Sequence, residues 1–307
     1  YKRQAQHMTV GEFYLALIDE FERNGKLGNR RAYKGSYNSL NSFTGDNLDI
    51  CFEDITQGWL LNYESWLRAK GNKETTISIQ FRTLRSVYNK AIKRKCVGKE
   101  YYPFEDFHIN KFNVHTDKRA ISKNDVLKII SADLTGKSEY VKFSRDIFVF
   151  SYLCGGINFC DVASLTKENI LNGRLSYVRQ KTGKQINLCL TKNASAIIDK
   201  YYKGGKGFLF PILDITRHIT ATQKENRLHK VLGQVDKSLK IIAQIAKVDV
   251  NLTTYVARHS YATVLKRSGV PTSIICESLG HSSERVTQIY LDSFENEQID
   301  EAMKNLL

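Results

Sequence analysis

Three short stretches near the C-terminal end carry side chains suited to one kind of chemistry. Tyr255-Val-Ala-Arg258-His259 comes first, Leu279-Gly280-His281-Ser282-Ser283 second, and Tyr290 follows His281 by nine residues. Arg258 offers a planar fork that can hold two oxygens of one phosphate. His281 follows a helix-ending Leu-Gly and can donate to a phosphate oxygen or take a proton. Tyr290 supplies a phenol nucleophile about two and a half turns into the helix that would follow, at 3.6 residues per turn. No cluster of metal-ligand residues accompanies them, and no cofactor is expected. The set therefore reads as phosphoryl transfer stabilised by cationic side chains rather than by a metal. Taken singly, each piece is ambiguous: an inward Arg is usually an ion-pair partner, a His after Leu-Gly a capping or core residue, and one Tyr among 16 a packing residue. Their order and spacing give them weight.

The elements that must position these groups are mostly helices. Thr9 and Glu12 form a capping box ahead of the stripe Phe13, Leu17, Ile18, Phe21. Helices are expected over 31–43 and 56–69, the second carrying Trp59, Leu60, Tyr63, Trp66 and Leu67 and ending at Gly71. The stretch 75–95 shows an inner stripe of Ile77, Phe81, Leu84, Tyr88 and Ala91 and a second face of Arg82, Arg85, Asn89 and Lys93. No acidic residue occurs from Thr75 to Gly98. Such a face is either a solvated basic surface or one laid against phosphates, which need cations unopposed by carboxylates. Periodicity fails over 101–118, which reads as an extended linker, with a domain boundary within 111–119. This gives a first domain of residues 1–113 and a second of 114–307.

The second domain opens on a helix capped at Ser122. An apolar helix follows over 145–153, and helical spacing continues over 161–165 after the Gly155-Gly156 break. Residues 174–190 then alternate around Lys181-Thr-Gly-Lys184, the mark of a β-hairpin. Helices are expected from about Ala194 onward, over 231–247, 255–268, 271–279 and 283–291, with a last amphipathic stretch from Glu295 to Leu307. The expected fold is mainly α with a small antiparallel β-sheet, in two domains.

Composition limits the partners. The chain of 307 residues has 46 Lys+Arg against 32 Asp+Glu, net +14. Up to Asn113 there are 18 basic against 13 acidic residues, and beyond it 28 against 19, so the basic character is shared by both parts. A polyanion spanning both domains fits this, and nucleic acid is the commonest one. No apolar run is long enough for a membrane span. The six cysteines form no CxxC or zinc spacing, and read as reduced thiols of a cytoplasmic protein.

Arg258-His-Ser-Tyr-Ala-Thr263, Leu279-Gly-His-Ser-Ser283 and Tyr290, in this order and spacing, resemble the tyrosine recombinase (phage integrase) family, including integrases of conjugative and mobilisable elements. The resemblance covers essentially the whole chain, the first domain by pattern only. It implies a helical core-binding domain of SAM-like type followed by a catalytic domain. Tyr290 would be the nucleophile, Arg258 the second catalytic Arg, and His281 the His of the Leu-Gly-His motif. Lys181, on the hairpin turn, would be the general acid. Further DNA contacts would come from Arg82, Arg85, Asn89, Lys93, Lys184 and His259. The implied reaction cuts and rejoins duplex DNA at specific sites through a 3′-phosphotyrosyl intermediate. A homotetramer would assemble on the DNA, and the C-terminal stretch would dock on a neighbour.

Two positions depart from the pattern. Tyr255 stands where the family usually has His or Lys, and a phenol is neither a cation nor a base at neutral pH. Asn158, in Gly155-Gly-Ile-Asn158-Phe-Cys-Asp161, occupies the place of the family's first Arg. Related integrases with Asn-Phe-x-Asp carry an Arg two or three residues earlier, where this chain has Gly155 or Gly156. Losing one preorganised donor to the transition state costs about 3–4 kcal/mol. Either another cation fills the place, or Asn158 serves by hydrogen bonding, or the chain is an impaired relative that binds specific DNA. A type IB topoisomerase would share the same chemistry.

Overall fold

The computed structural model describes residues 8–114, 119–288 and 291. Tyr290 and the C-terminal stretch from Glu295 lie outside them. The chain divides into two compact units, Tyr1–Thr116 and Asp117–Leu307.

The first unit is built on α1 (Val10–Arg23), α2 (Leu27–Phe43), α3 (Gln57–Ala69) and α4 (Glu74–Lys93). The capping box at Thr9 is formed in both directions: the Thr9 N–H donates to Glu12, and the Glu12 N–H donates to the Thr9 hydroxyl. The stripe of α1 and the stripe Ile77, Phe81, Leu84, Tyr88 and Ala91 of α4 are buried in one core. Removing these large apolar surfaces from water is the main driving force for the unit. Arg82, Arg85, Asn89 and Lys93 all lie exposed on the other face of α4. The expected linker is shorter than 101–118. Phe104, Phe107, Ile109 and Phe112 are buried in the first unit, with Phe112 stacked on Phe81, and Ile109–Lys111 is a turn of 3₁₀ helix. Aromatic anchoring without helical spacing is what the periodicity missed.

The second unit begins with α5 (Lys123–Ile130), capped by Ser122, and α6 (Glu139–Leu153). α6 starts six residues before the expected Arg145, because Ser138 caps it. α7 (Phe159–Ser164) precedes a three-stranded antiparallel sheet of β1 (Ile170–Leu171), β2 (Arg174–Val178) and β3 (Gln185–Cys189). The hairpin register pairs Leu175 with Leu188 and Tyr177 with Ile186. Strand β1, two residues long, is too short to show alternation. Then come α8 (Lys192–Tyr201), α9 (Ala221–Ile245), α10 (Thr254–Arg267), α11 (Thr272–Leu279) and α12 (Glu284–Gln288). α9 starts ten residues before the expected Val231. A Thr220–Gln223 capping box begins it, but its first turns bury no apolar stripe. Its C-terminal half, from Val231, joins α6 and the sheet in the main core of the unit. Among the described residues no helix is long and apolar enough to cross a membrane, and no His/Cys/Asp/Glu cluster could hold a metal. All six cysteines are free.

Candidate active site

Arg258 projects from the first turns of α10, just after the buried Val256 and Ala257, and only 2% of it is exposed. A buried guanidinium needs partners for its donors. Nη1 donates to the Gly156 carbonyl at 2.8 Å, and Nη2 donates to the Leu279 carbonyl. Nη2 also lies 3.0 Å from His281 Nε2. This approach depends on Gly156. Its φ is +63°, and a Cβ there would fall 2.7 Å from the Arg258 Cα. At Gly155 a Cβ would meet Leu188 Cδ1 at 2.7 Å. At Gly156 an Arg would need the backbone of Arg258 to move, and at Gly155 its φ of +71° makes a side chain strained while Leu188 would have to give way.

Gly280 ends α11 in the left-handed conformation, φ +63°. That turn sends His281 inward, to 3% exposure. His281 Nδ1 lies 2.9 Å from the hydroxyl of Thr287, a fully buried residue of α12. A guanidinium can only donate, so His281 Nε2 must accept from Arg258 and the ring proton is assigned to Nδ1, donating to Thr287. Burial, and then the charges of Arg258, Arg179, Lys181 and Lys184, push the His281 pKa down to about 4. At neutral pH this ring is uncharged.

A second buried guanidinium shares the pocket. Arg179, just after β2, is 3% exposed and donates through Nη1 to the Gly280 carbonyl at 2.8 Å. Its Nε is buried with no hydrogen-bond partner among the described residues. The neighbouring Gln180 N–H donates to Asp161 Oδ1 at 3.0 Å. Burial raises the Asp161 pKa, opposed by that N–H and then by Arg179 and Arg258. The chain thus buries two guanidinium groups around the turn that bears His281. One was expected. Arg179 had a signal in the sequence: it continues the inward face of Leu175 and Tyr177. Thr287 had none.

The other expected residues fall at different depths. Lys181 is exposed on the β2–β3 loop, close enough for its charge to act on His281. Asn158 is half-buried before α7, and its side chain makes no cap hydrogen bond. Tyr255 is 45% exposed and packs edge-to-face on His259, ring centroids 4.9 Å apart. Lys184 sends its ammonium to the His281 carbonyl. The arrangement is a buried cationic cluster around a neutral imidazole, chemistry suited to stabilising negative charge that builds on a phosphate.

Comparison with known proteins shows the family. Residues 9–112 match the phage integrase SAM-like domain and residues 119–297 the phage integrase family. The tyrosine recombinase XerD of Halalkalibacterium halodurans is 24% identical over 77% of this chain and 77% of its own length. The integrase of Escherichia phage P2 is 21% identical over 94% of this chain and 73% of its own length. The fold is similar to that of the Tn1549 transposon integrase in complex with transposon right end DNA, with a TM-score of 0.66 at 17% identity, covering 97% of this chain and 99% of that one. It is also similar to a lambda integrase dimer bound to a core site, with a TM-score of 0.62 at 15% identity, covering 95% of this chain and 81% of that one. The chain belongs to the phage integrase family of tyrosine recombinases.

Proposed function

We propose that this chain is a site-specific DNA recombinase that cuts and rejoins strands through Tyr290. The observation that carries the reading is the buried cluster of Arg258, Arg179 and His281, with Tyr290 nine residues beyond His281. The Tyr290 oxygen attacks the scissile phosphorus and the bond to the 5′-oxygen breaks. Lys181 gives that oxygen a proton, and the phenol proton passes to water. Arg258 and Arg179 stabilise the charge on the non-bridging oxygens, with Arg179 taking the part vacated at Asn158. His281 acts from its neutral form and orients the Arg258 fork. A 5′-hydroxyl of a partner duplex reverses the step, so no ATP is needed.

The first domain, residues 1–113, serves as the core-binding domain. Arg82, Arg85, Asn89 and Lys93 of α4 meet phosphates and fix register without reading sequence. Four protomers assemble on paired sites, the C-terminal stretch of each docking on a neighbour. The two buried guanidinium groups favour this over the catalytically silent DNA-binding alternative, which has no chemical need for them. The test uses a suicide site carrying a nick, on which the wild-type chain accumulates a covalent protein–DNA band in a denaturing gel. Tyr290→Phe should remove that band entirely. A band that persists would overturn the assignment of the nucleophile.

A further inference from the structure

Three side-chain donors of the β2–β3 loop converge on two consecutive carbonyls of the turn after α11. Arg179 Nη1 and the Thr182 hydroxyl donate to the Gly280 carbonyl at 2.8 and 3.2 Å. Lys184 Nζ donates to the next carbonyl, that of His281. The loop is also closed on itself. The Arg179 N–H donates to the Lys184 carbonyl at 2.8 Å, and the Gly183 N–H donates back to the Arg179 carbonyl at 2.8 Å. Gly183 takes φ +67°, as this tight return requires. Lys181 lies inside this clasped loop, yet its own ammonium is exposed and lends its charge to His281. Lys184 is a less obvious use of a cation: a side chain that could meet solvent or phosphate is committed to a backbone oxygen instead.

We infer that Thr182 and Lys184 are positioning residues, which clasp the loop to the His281 turn and so set Lys181 beside the leaving 5′-oxygen before DNA arrives. The inference rests on Lys181 being the general acid proposed above. Holding an acid in place is worth more than supplying it from a mobile loop, because its orientation no longer has to be found in each turnover.

The test compares two site DNAs in single-turnover cleavage by the full chain. One has the natural 5′-oxygen at the scissile bond; the other has a bridging sulfur there. A thiolate leaves without a proton because its conjugate acid is far stronger than an alcohol. The variants are Lys181→Ala, the double Thr182→Val/Lys184→Met, and Lys184→Arg, each first shown to bind site DNA like wild type. Removal of general acid help slows such a step by a factor on the order of 10²–10⁴. Lys181→Ala should show that loss on the oxygen substrate and regain a near wild-type rate on sulfur. The double variant should show the same pattern to a smaller degree, and Lys184→Arg should restore most of the rate. A double variant that is fast on oxygen, or equally slow on both substrates, would overturn the clasp. The single variants replace the double if it does not fold. Should Lys181→Ala itself cleave the oxygen substrate at full rate, the general-acid reading falls and takes the clasp with it.

Discussion

The two units of this chain treat charge in opposite ways. The first buries aromatic rings and a few hydroxyls, and its buried phenols are answered locally: Tyr14 by Ser36, and Tyr88 by the Phe52 and Tyr101 carbonyls. Its cations stay at the surface, as on α4. Among the described residues, every buried charged or imidazole side chain belongs to the second unit: Asp146, Asp161, Arg179, Arg258 and His281. Surface cations attract a polyanion additively and are screened by salt. Buried ones are desolvated at a cost and act only in one geometry. Under the proposed function, the first unit supplies grip and the second the chemistry.

The sharpest way to break this division is to blunt a buried cation without removing its charge. Arg179→Lys keeps the charge but loses the fork. It should slow single-turnover cleavage by roughly 10²–10³, as expected for loss of one preorganised donor. Site-DNA affinity, read by titration, should change little. An Arg179→Lys chain that cleaves normally would leave the gap at Asn158 unfilled.

Changing the surface cations should give the converse result. Arg82→Ala with Arg85→Ala should weaken DNA binding and reduce the slope of log affinity against log salt by about 0.9 for each phosphate left unneutralised. Cleavage of the saturated complex should keep its rate. A slower rate at saturation would place α4 in the chemistry and end the contrast.

The smallest effect concerns His281. Its folded pKa, about 4, lies below its ordinary 6.5. Between those values the unfolded ring holds a proton that the folded ring does not, so folding stability rises with pH in this window. Stability present above about pH 6.5 should be lost as pH falls toward 4. Urea midpoints near pH 7 and near pH 5 should differ more in the wild type than in His281→Asn, where the linkage is absent. Equal differences would show that the pocket does not hold this ring neutral.

Much of this is legible in the amino-acid order alone. The capping box at Thr9, the α4 stripe and the hairpin obey short-range rules that tertiary context did not override. The pairing of Arg258 with His281 is legible from order and spacing. Arg179 is half legible: alternation places it inward, but nothing local says which turn its fork will meet 101 residues later. Thr287 and the Gly156 contact depend on the same long-range closure. The Phe112 anchor and the first turns of α9 escape for a simpler reason, since neither shows an apolar period.

Sequence distance within the pocket also bears on folding. Arg258 reaches Gly156 across 102 residues, and Arg179 reaches Gly280 across 101. Contacts so far apart along a chain carry a loop-closure cost in entropy, and topologies rich in them fold more slowly. The site therefore depends on two long-range closures rather than on local structure. A chain in which these segments have not met lacks the Arg258–Gly156 and Arg179–Gly280 contacts together. Under the proposed function, cleavage requires both long-range closures, whereas the basic face of α4 is set by one helix alone.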